Sequence, residues 1–267
     1  MGGLSQPIVP MEGGEGFKIP GVDDFIFDGG FIPGVDWVNK TFVQALISVV
    51  LILGFWLIAS RKLKLVPSKG QFVSEYAYNF IRNGVARDAL GHDFRPYLPY
   101  LLGLFSFLLV NNLFGLFPLF MFPTFSNIGY AWGLAFLSWI IYIAAGIKRH
   151  GGGYFKNSLV PAGVPGWLLP VIIPIEFLSN FIIRPLTLGL RLFGNLFAGH
   201  VVVLVFVTGG WYLLTEVGPL VNHVAGGVAL IFSFAIFALE LLVASLQAYI
   251  FTVLTAQYVA SSLAEDH

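Results

Sequence analysis

The feature that most constrains this chain is a long run without any charged side chain. Between Arg95 and Lys148 the sequence contains no acid, no base and no histidine. A helix that crosses a bilayer needs about 20 apolar residues, so this run alone is long enough for two crossings. Only 10% of the chain is charged, whereas an ordinary soluble domain carries about 25%. The sequence therefore predicts an all-α integral membrane protein.

Five apolar stretches are long enough to cross a membrane. They cover residues 41–60, 96–122, 125–147, 167–207 and 220–263. The fourth has roughly 40 residues and would reach about 60 Å as a helix, twice the hydrocarbon thickness. It must tilt strongly, break at one of three prolines (Pro170, Pro174, Pro185), or run along another membrane subunit. We expect a strongly inclined helix with a bend.

The basic residues between the spans predict the orientation of the chain. Seven Lys and Arg residues lie in segment 61–95, and three more follow the third span. Because short loops rich in Lys and Arg stay in the cytoplasm, both regions are assigned to that side. Five crossings then place residues 1–40 outside and the C-terminal tail, residues 264–267, inside.

The composition divides the chain into regions. Residues 1–40 form a polar, acidic arm that is rich in Gly and Pro. The three apolar spans lie within residues 41–147, and residues 148–166 form a Gly- and Pro-rich cytoplasmic joint. The remaining apolar residues, 167–263, are predicted to form a helical hairpin.

Residues 71–90 are too polar to span a membrane, but their apolar side chains recur at helical spacing. Phe72, Tyr76 and Phe80 are four residues apart, whereas the charged side chains lie on other faces. This periodicity predicts an amphipathic helix that lies on the cytoplasmic membrane surface. A helix that binds a partner protein is the alternative interpretation.

Charge and cysteine content exclude several classes of function. The formal net charge is zero, whereas nucleic-acid binding requires a basic surface. The chain has no Cys, which excludes disulfides, thiol catalysis and cysteine metal sites. No phosphate-binding loop of the form GxxxxGK followed by Ser or Thr occurs. We therefore expect no nucleic-acid partner, no metal, no cofactor and no phosphate chemistry in this chain.

Ionisable side chains inside the apolar stretches occur only in the last two of them. They are Glu176, Arg184, Arg191, His200 and Glu240. Such side chains are costly in lipid and usually face water, a partner or an ion path. Glu216 and His223 lie near the turn that connects the two stretches. The polar function is therefore predicted at one end of the chain.

The last two stretches are predicted to form an antiparallel hairpin with its turn at residues 218–219. A hairpin brings residues that are equidistant from its turn to the same depth. His200 pairs in this way with Glu240, around a midpoint of 220, and Arg191 pairs with Gln247, around 219. Two polar pairs that share one turn favour the hairpin, because chance readily produces only one such pair.

Helical spacing assigns these side chains to faces. Arg191 and Asn195 are four residues apart and share a face, as do Glu240 and Gln247, which are seven apart. His200 follows Arg191 by nine residues, about half a turn in angle at 3.6 residues per turn. We therefore expect Arg191 to face a partner and His200 to face a side cavity.

Three short motifs stand out in the apolar stretches. They are Leu109-Val-Asn-Asn-Leu-Phe-Gly-Leu-Phe-Pro118, Gly189-Leu-Arg-Leu-Phe-Gly-Asn-Leu-Phe-Ala-Gly199 and Ser245-Leu-Gln-Ala-Tyr-Ile-Phe251. In combination they resemble the signature of the a subunits of F-type (rotary) ATP synthases, the stator of the membrane sector. The resemblance runs from about residue 40 to the end of the chain and does not include the N-terminal arm.

The resemblance implies a place in a large membrane complex. Members of this family lie against a ring of c subunits and provide two offset half-channels for protons. The complex also contains peripheral-stalk b subunits and a soluble ATPase. The family's essential arginine matches Arg191, its motif asparagine matches Asn195, and its last-span glutamine matches Gln247. We expect Asn195 and Gln247 to hydrate or orient the Arg191 region, or to pack as ordinary polar residues.

The other ionisable residues are assigned to the two half-channels. His200 and Glu240 lie on the outer side of the essential arginine and can exchange protons near neutral pH. We place them in the outer half-channel; a static buried ion pair is the alternative. Some family members carry Glu and His in the exchanged positions. Glu176 is placed in the inner half-channel or is an interfacial residue, and Glu216 and His223 line the outer entrance or are loop residues.

Three hypotheses compete at this point. The first is a non-catalytic, proton-translocating subunit of an ATP synthase in a bacterial plasma (inner) membrane, or alternatively in an organelle inner membrane. The second is a stand-alone, ion-coupled secondary transporter in which Arg191 holds an anionic substrate, but the internal repeats common in such folds are absent. The third is a structural scaffold, which the clustered charges disfavour.

Overall fold

The computed structural model describes residues 20–21, 39–61, 63–117, 120, 123–160, 165–216 and 218–264. Within these ranges the regular structure is helical, and no strand is present. The prediction of an all-α fold is therefore confirmed. The predicted N-terminal arm and C-terminal tail lie almost entirely outside the described residues.

Nine α-helices are present in the described ranges. They are α1 (Lys40–Ser60), α2 (Lys69–Ile81), α3 (Asp88–Leu90), α4 (Leu98–Phe114), α5 (Ile128–His150), α6 (Gly153–Leu159), α7 (Leu169–Phe177), α8 (Arg184–Thr215) and α9 (Leu220–Leu263). Two π-helical segments, Arg82–Arg87 and Leu178–Ile183, connect α2 to α3 and α7 to α8. The predicted joint at residues 148–166 therefore contains the end of α5 and the short helix α6.

Four helical segments are long and apolar enough to cross a membrane. They are α1, α5, the continuous segment Gly166–Thr215 and α9. The helix α4 is also apolar but shorter, and it corresponds to the predicted second span. The structure thus confirms the membrane class, whereas the number of five crossings stays a prediction.

The second span is shorter than predicted. Residues 96–122 contain no charged side chain, but α4 ends before Gly115. Here the chain folds back so closely that a Cβ on Gly115 would lie 2.8 Å from Pro123. Thr124 then donates a hydrogen bond to Asn111 Oδ1 over 2.8 Å, which fastens the returning chain to α4. This reversal requires a residue without a side chain, and apolar composition alone does not reveal it.

The fourth stretch is one helical segment that extends past its predicted end at residue 207 to Thr215. Its prolines do not interrupt it, because Pro174 lies inside α7 and Pro185 lies in the first turn of α8. A proline ring removes one backbone hydrogen bond and presses on the carbonyl four residues earlier. The π-helical segment Leu178–Ile183 contains that carbonyl for Pro185, and its wider turn accommodates the ring.

The C-terminal half of α9 lies at the centre of the bundle, where it contacts α4, α5 and α8. Its buried side chains recur at helical spacing. They are Ala244, Gln247, Ala248, Phe251, Thr252, Thr255, Ala256, Val259 and Ser262. The N-terminal half is mostly exposed and apolar; Ile231 and Phe234 are 74% and 75% exposed. Large exposed apolar surfaces of this kind mark contact with lipid or with another protein.

The helix ends are arranged as a five-span topology requires. Asp93 before α4, Lys148 near the end of α5 and Leu263 at the end of α9 line one cavity, so these three ends lie together. At the opposite end of α5, the Tyr130 hydroxyl donates a hydrogen bond to Asn39 Oδ1 over 3.4 Å. Asn39 immediately precedes α1, so the starts of α1 and α5 lie together. Which of the two sides is cytoplasmic stays a prediction.

The segment from α2 to α3 packs on the bundle with one face and leaves another exposed. Ile81 and Val85 are buried in the core that α4, α5 and α9 share. Phe72 and Tyr76 point away from it and are 61% and 67% exposed, with their rings stacked. An outward aromatic face agrees with a helix at the membrane surface, and that location stays a prediction.

Helices α8 and α9 form the predicted hairpin, and they approach most closely near its turn. A Cβ on Gly226 of α9 would lie 2.7 Å from the carbonyl oxygen of Gly210 and 3.0 Å from the backbone nitrogen of Leu214. Backbone atoms of a packed helix cannot move aside as a flexible side chain can. The close crossing therefore requires glycine at this position.

We predict that Gly226→Ala destabilises the protein by about 1–3 kcal/mol, because the added methyl group overpacks the crossing. Gly227→Ala is the matched control, since nothing lies within 4 Å of the corresponding Cβ. Thermal unfolding of the two purified variants, followed by circular dichroism, makes the comparison. Equal stability of the two variants would show that the helices do not cross so closely.

Candidate functional site

A buried acid and imidazole join the two helices of the hairpin. His200 Nδ1 of α8 and Glu240 Oε1 of α9 lie 3.4 Å apart, with side chains that are 9% and 6% exposed. Their pairing at one depth follows the prediction from the turn position. Glu240 Oε2 has no hydrogen-bond partner among the described residues. Since buried polar atoms in proteins are almost always paired with protein or water, this oxygen requires a partner from outside the chain.

A second polar pair lies nearer the start of α8. Asn195 Nδ2 donates to Gln247 Oε1 over 2.7 Å, and Gln247 is buried. The sequence pairs Gln247 with Arg191 by depth, but the hydrogen bond is made by Asn195, one turn farther along the same face. Gln247 Nε2 has no partner within the described part of the chain. Because Glu240 and Gln247 share a face of α9, the two unpaired atoms follow one line along the helix.

Arg191 is exposed on the outward face of α8, whereas His200 is buried against α9. This difference agrees with their nine-residue spacing. Exposed residues at helical spacing, Thr187, Asn195 and Ala198, continue the outward face of Arg191. No carboxylate of the described residues forms an ion pair with its guanidinium. A charge on the outside of an apolar helix is costly in lipid, so Arg191 requires water or a partner on another chain.

A third polar group surrounds Glu176 of α7. Asn180 Nδ2 donates to Glu176 Oε2 over 3.1 Å and to the Ser158 carbonyl over 3.0 Å. The Tyr142 hydroxyl of α5 donates to the Asn180 carbonyl over 2.8 Å. Helices α5 and α6 thus hold Asn180, which in turn positions the carboxylate. The sequence analysis does not identify Asn180. The only feature of the sequence that connects it with Glu176 is their spacing of four residues, which places both on one face of a helix.

Glu176 lines a polar cavity of about 230 Å³. His150, Ser262 and Arg184 also line it, and the Arg184 guanidinium lies over the ring of Tyr258 at 5.2 Å. These residues come from the ends of α5, α8 and α9, far apart in the sequence. No spacing in the sequence indicates that His150 and Ser262 share a cavity with Glu176.

Glu216 and His223 lie at the hairpin turn, as predicted. The backbone N–H of Glu216 closes the last turn of α8 by donating to the Tyr212 carbonyl. His223 Nδ1 lies 2.9 Å from the carbonyl oxygen of Leu214, within hydrogen-bond distance. The structure thus gives His223 a local role in closing the turn. A role for both residues at a channel entrance stays a prediction.

The polar residues form three groups along the hairpin and the segment that precedes it. At 1.5 Å per residue, Arg191 lies about 14 Å along the helix from His200 and about 22 Å from Glu176. His200 and Glu176, which can gain and lose a proton, therefore lie on opposite sides of Arg191, which keeps its proton. No group of three or more His, Asp and Glu residues in the described ranges could hold a metal ion.

Comparisons with known proteins identify the family of the chain. Residues 42–260 match the family model described as the ATP synthase A chain. The chain is 44% identical over 269 residues to the ATP synthase subunit a of a Nocardioides species, covering 95% of this chain and 96% of that protein. It is 42% identical to the same subunit of Pseudarthrobacter chlorophenolicus, over 97% of each chain. It is 39% identical to that of Streptomyces lividans, over 95% of this chain and 90% of the relative.

The family match begins in α1 and ends in the last turn of α9, so it includes all the polar groups described above. The long apolar helices indicate a membrane protein, and the matching relatives are subunits of ATP synthases. The chain belongs to the ATP synthase A chain family and is an a subunit of an F-type ATP synthase.

Proposed function

We propose that this chain is the non-catalytic, proton-translocating stator subunit of its complex, with two offset half-channels that open onto a rotating c-ring. The observation that carries the proposal is the position of Arg191, outward and without an ion-pair partner in the described chain. Buried or cavity-lining acids lie on both sides of it, at Glu240 and Glu176. The proposed partners are the c-ring, the peripheral-stalk b subunits and the soluble ATPase, in a bacterial plasma membrane.

Arg191 is proposed to act as the gate between the half-channels. A guanidinium retains its proton, so it cannot pass one on, and its positive charge repels a proton that approaches along the helix. The same charge attracts a carboxylate of the c-ring and favours the ionised form of that carboxylate. Each ring carboxylate therefore releases its proton near Arg191, and protons cannot move directly from one half-channel to the other.

His200 and Glu240 are proposed to carry protons in the outer half-channel. The imidazole can both accept and donate a proton, and the carboxylate oxygen of Glu240 lies within 3.4 Å of it. The unpaired atoms Glu240 Oε2 and Gln247 Nε2 lie on one face of α9 and continue this path towards the Arg191 region. Water molecules that bond to both atoms would complete the path.

Glu176 and its cavity are proposed to form part of the inner half-channel. The cavity lies where α5 and α9 end, on the side that the basic loops assign to the cytoplasm. Asn180 holds the Glu176 carboxylate at the cavity, so the acid can accept protons that leave the ring. Membership of the A chain family favours this function over the stand-alone transporter.

We expect Arg191→Ala to abolish proton-driven ATP synthesis in membrane vesicles. After the soluble ATPase is stripped off, the same membranes should leak protons, because the barrier between the half-channels is gone. The decay of a fluorescent pH gradient measures the leak. Arg87→Ala, which removes an exposed arginine outside the long apolar helices, is the control and should retain synthesis. Near-normal synthesis in Arg191→Ala would disprove the gate.

We expect Glu240→Gln to lower proton-driven synthesis at least about tenfold, because the amide retains the shape of the acid but does not titrate. The double variant His200→Glu with Glu240→His should synthesise ATP faster than Glu240→Gln, because it retains one acid and one imidazole. Ser233→Ala is the control, because that hydroxyl bonds only to a carbonyl of its own helix. Normal synthesis in Glu240→Gln would identify the pair as static packing.

We expect Glu176→Gln to suppress the leak of Arg191→Ala membranes, because protons that cross the open gate leave past Glu176. The double variant is compared with Arg191→Ala alone in the same assay of passive proton flux. Thr215→Ala in the Arg191→Ala background is the control, since Thr215 is exposed at the opposite end of α8. An unchanged leak in the double variant would show that protons do not pass Glu176.

A further inference from the structure

A second cavity lies apart from the proton-pathway residues. Its volume is about 500 Å³, and it opens where α4 begins and where α5 and α9 end. One wall is apolar and is formed by Ile141, Ala144 and Leu263. The rim carries the basic side chains of Lys148 and Arg149. None of these residues has a role in the proposed proton path.

The side of α5 that lines this cavity changes from apolar to basic within two turns. Ile141, Ala144 and Lys148 follow at three- and four-residue spacing and so share one face of the helix. Lys148 lies about 10 Å farther along the helix than Ile141. A ligand that fits this wall has an apolar part next to a negatively charged part.

The position of the cavity agrees with the boundary between hydrocarbon and lipid headgroups. Helix α5 has 23 residues and is about 34 Å long, slightly more than the hydrocarbon thickness. Its last turn, with Lys148 and Arg149, therefore reaches the headgroup region. Anionic lipids are attracted to such basic residues, and basic pockets between helices bind their headgroups.

A carboxylate on the opposite rim adds a second recognition group. Asp93 lines the same cavity, together with Tyr97. The basic side chains of Lys148 and Arg149 favour an anionic ligand over a zwitterionic one. The carboxylate can accept a hydrogen bond from a headgroup hydroxyl, which a glycerol headgroup supplies.

We propose that this cavity binds an anionic glycerophospholipid with a hydroxyl-bearing headgroup. The phosphate lies at Lys148 and Arg149, and a headgroup hydroxyl lies at Asp93. An acyl chain follows Ile141 and Ala144 along α5. Because the cavity joins the ends of three helices, the bound lipid holds the end of α9 against α4 and α5.

The test uses the complete ATP synthase in nanodiscs of phosphatidylcholine with a trace of photoactivatable phosphatidylglycerol. After illumination, mass spectrometry quantifies labelled peptides around residues 139–150. The double variant Lys148→Gln with Arg149→Gln should carry about 30-fold less label, because two basic residues are removed. The control, Lys64→Gln with Lys69→Gln, removes two exposed basic residues outside the cavity and should label normally.

Three further measurements separate the possible ligands. Ala144→Trp fills the apolar wall without a change in charge and should also reduce the label, while Lys148→Arg with Arg149→Lys should retain it. Equal labelling by photoactivatable phosphatidylcholine or phosphatidylethanolamine would overturn the anionic specificity. Displacement of the label by millimolar glycerol phosphate would show that the site recognises phosphate alone. Normal labelling of the Lys148 and Arg149 double variant would overturn the site.

Discussion

The high free energy of an unpaired charge in lipid is the constraint on which this structure depends. The buried Asn111 and Asn112 of α4 meet it with neutral hydrogen bonds. Asn111 donates to Ser48 over 2.8 Å, and Asn112 donates to the Ala244 carbonyl over 3.0 Å. These bonds join α1 to α4 and α4 to α9 without any charge. The acids and bases inside the long apolar stretches lie in the hairpin and in the segment that leads into it, where His200 and Glu240 lie together and Arg191 faces outward.

Small residues determine which of those groups can meet. A Cβ on Gly189 of α8 would lie 3.4 Å from the Ala135 side chain of α5, and on the other side α8 crosses α9 at Gly210. This packing fixes the rotation of α8 about its axis. One rotation turns His200 inward and Arg191 outward, because they lie on opposite faces of the helix. The buried pair and the outward charge are therefore two consequences of one packing arrangement.

Much of this arrangement is predictable from the sequence, because lipid imposes simple rules of length and charge. The bounds of α1 and α9 and the pairing of His200 with Glu240 follow from apolar runs and from the position of one turn. The reversal at Gly115 and the contact of Asn180 with Ser158 do not, because they depend on how distant segments meet in space. The cavity beside Glu176 is unpredictable for the same reason, since three separate helix ends form it.

The π-helical segment between α7 and α8 has a consequence for how this protein can vary. A π-helical turn accommodates one residue more than an α-helical turn over nearly the same length. Loss of one residue from Leu178–Ile183 would convert the turn to a regular helix and leave the packing of α8 unchanged. At this segment one residue between Glu176 and Arg191 could therefore be lost without a shift in the position of either side chain.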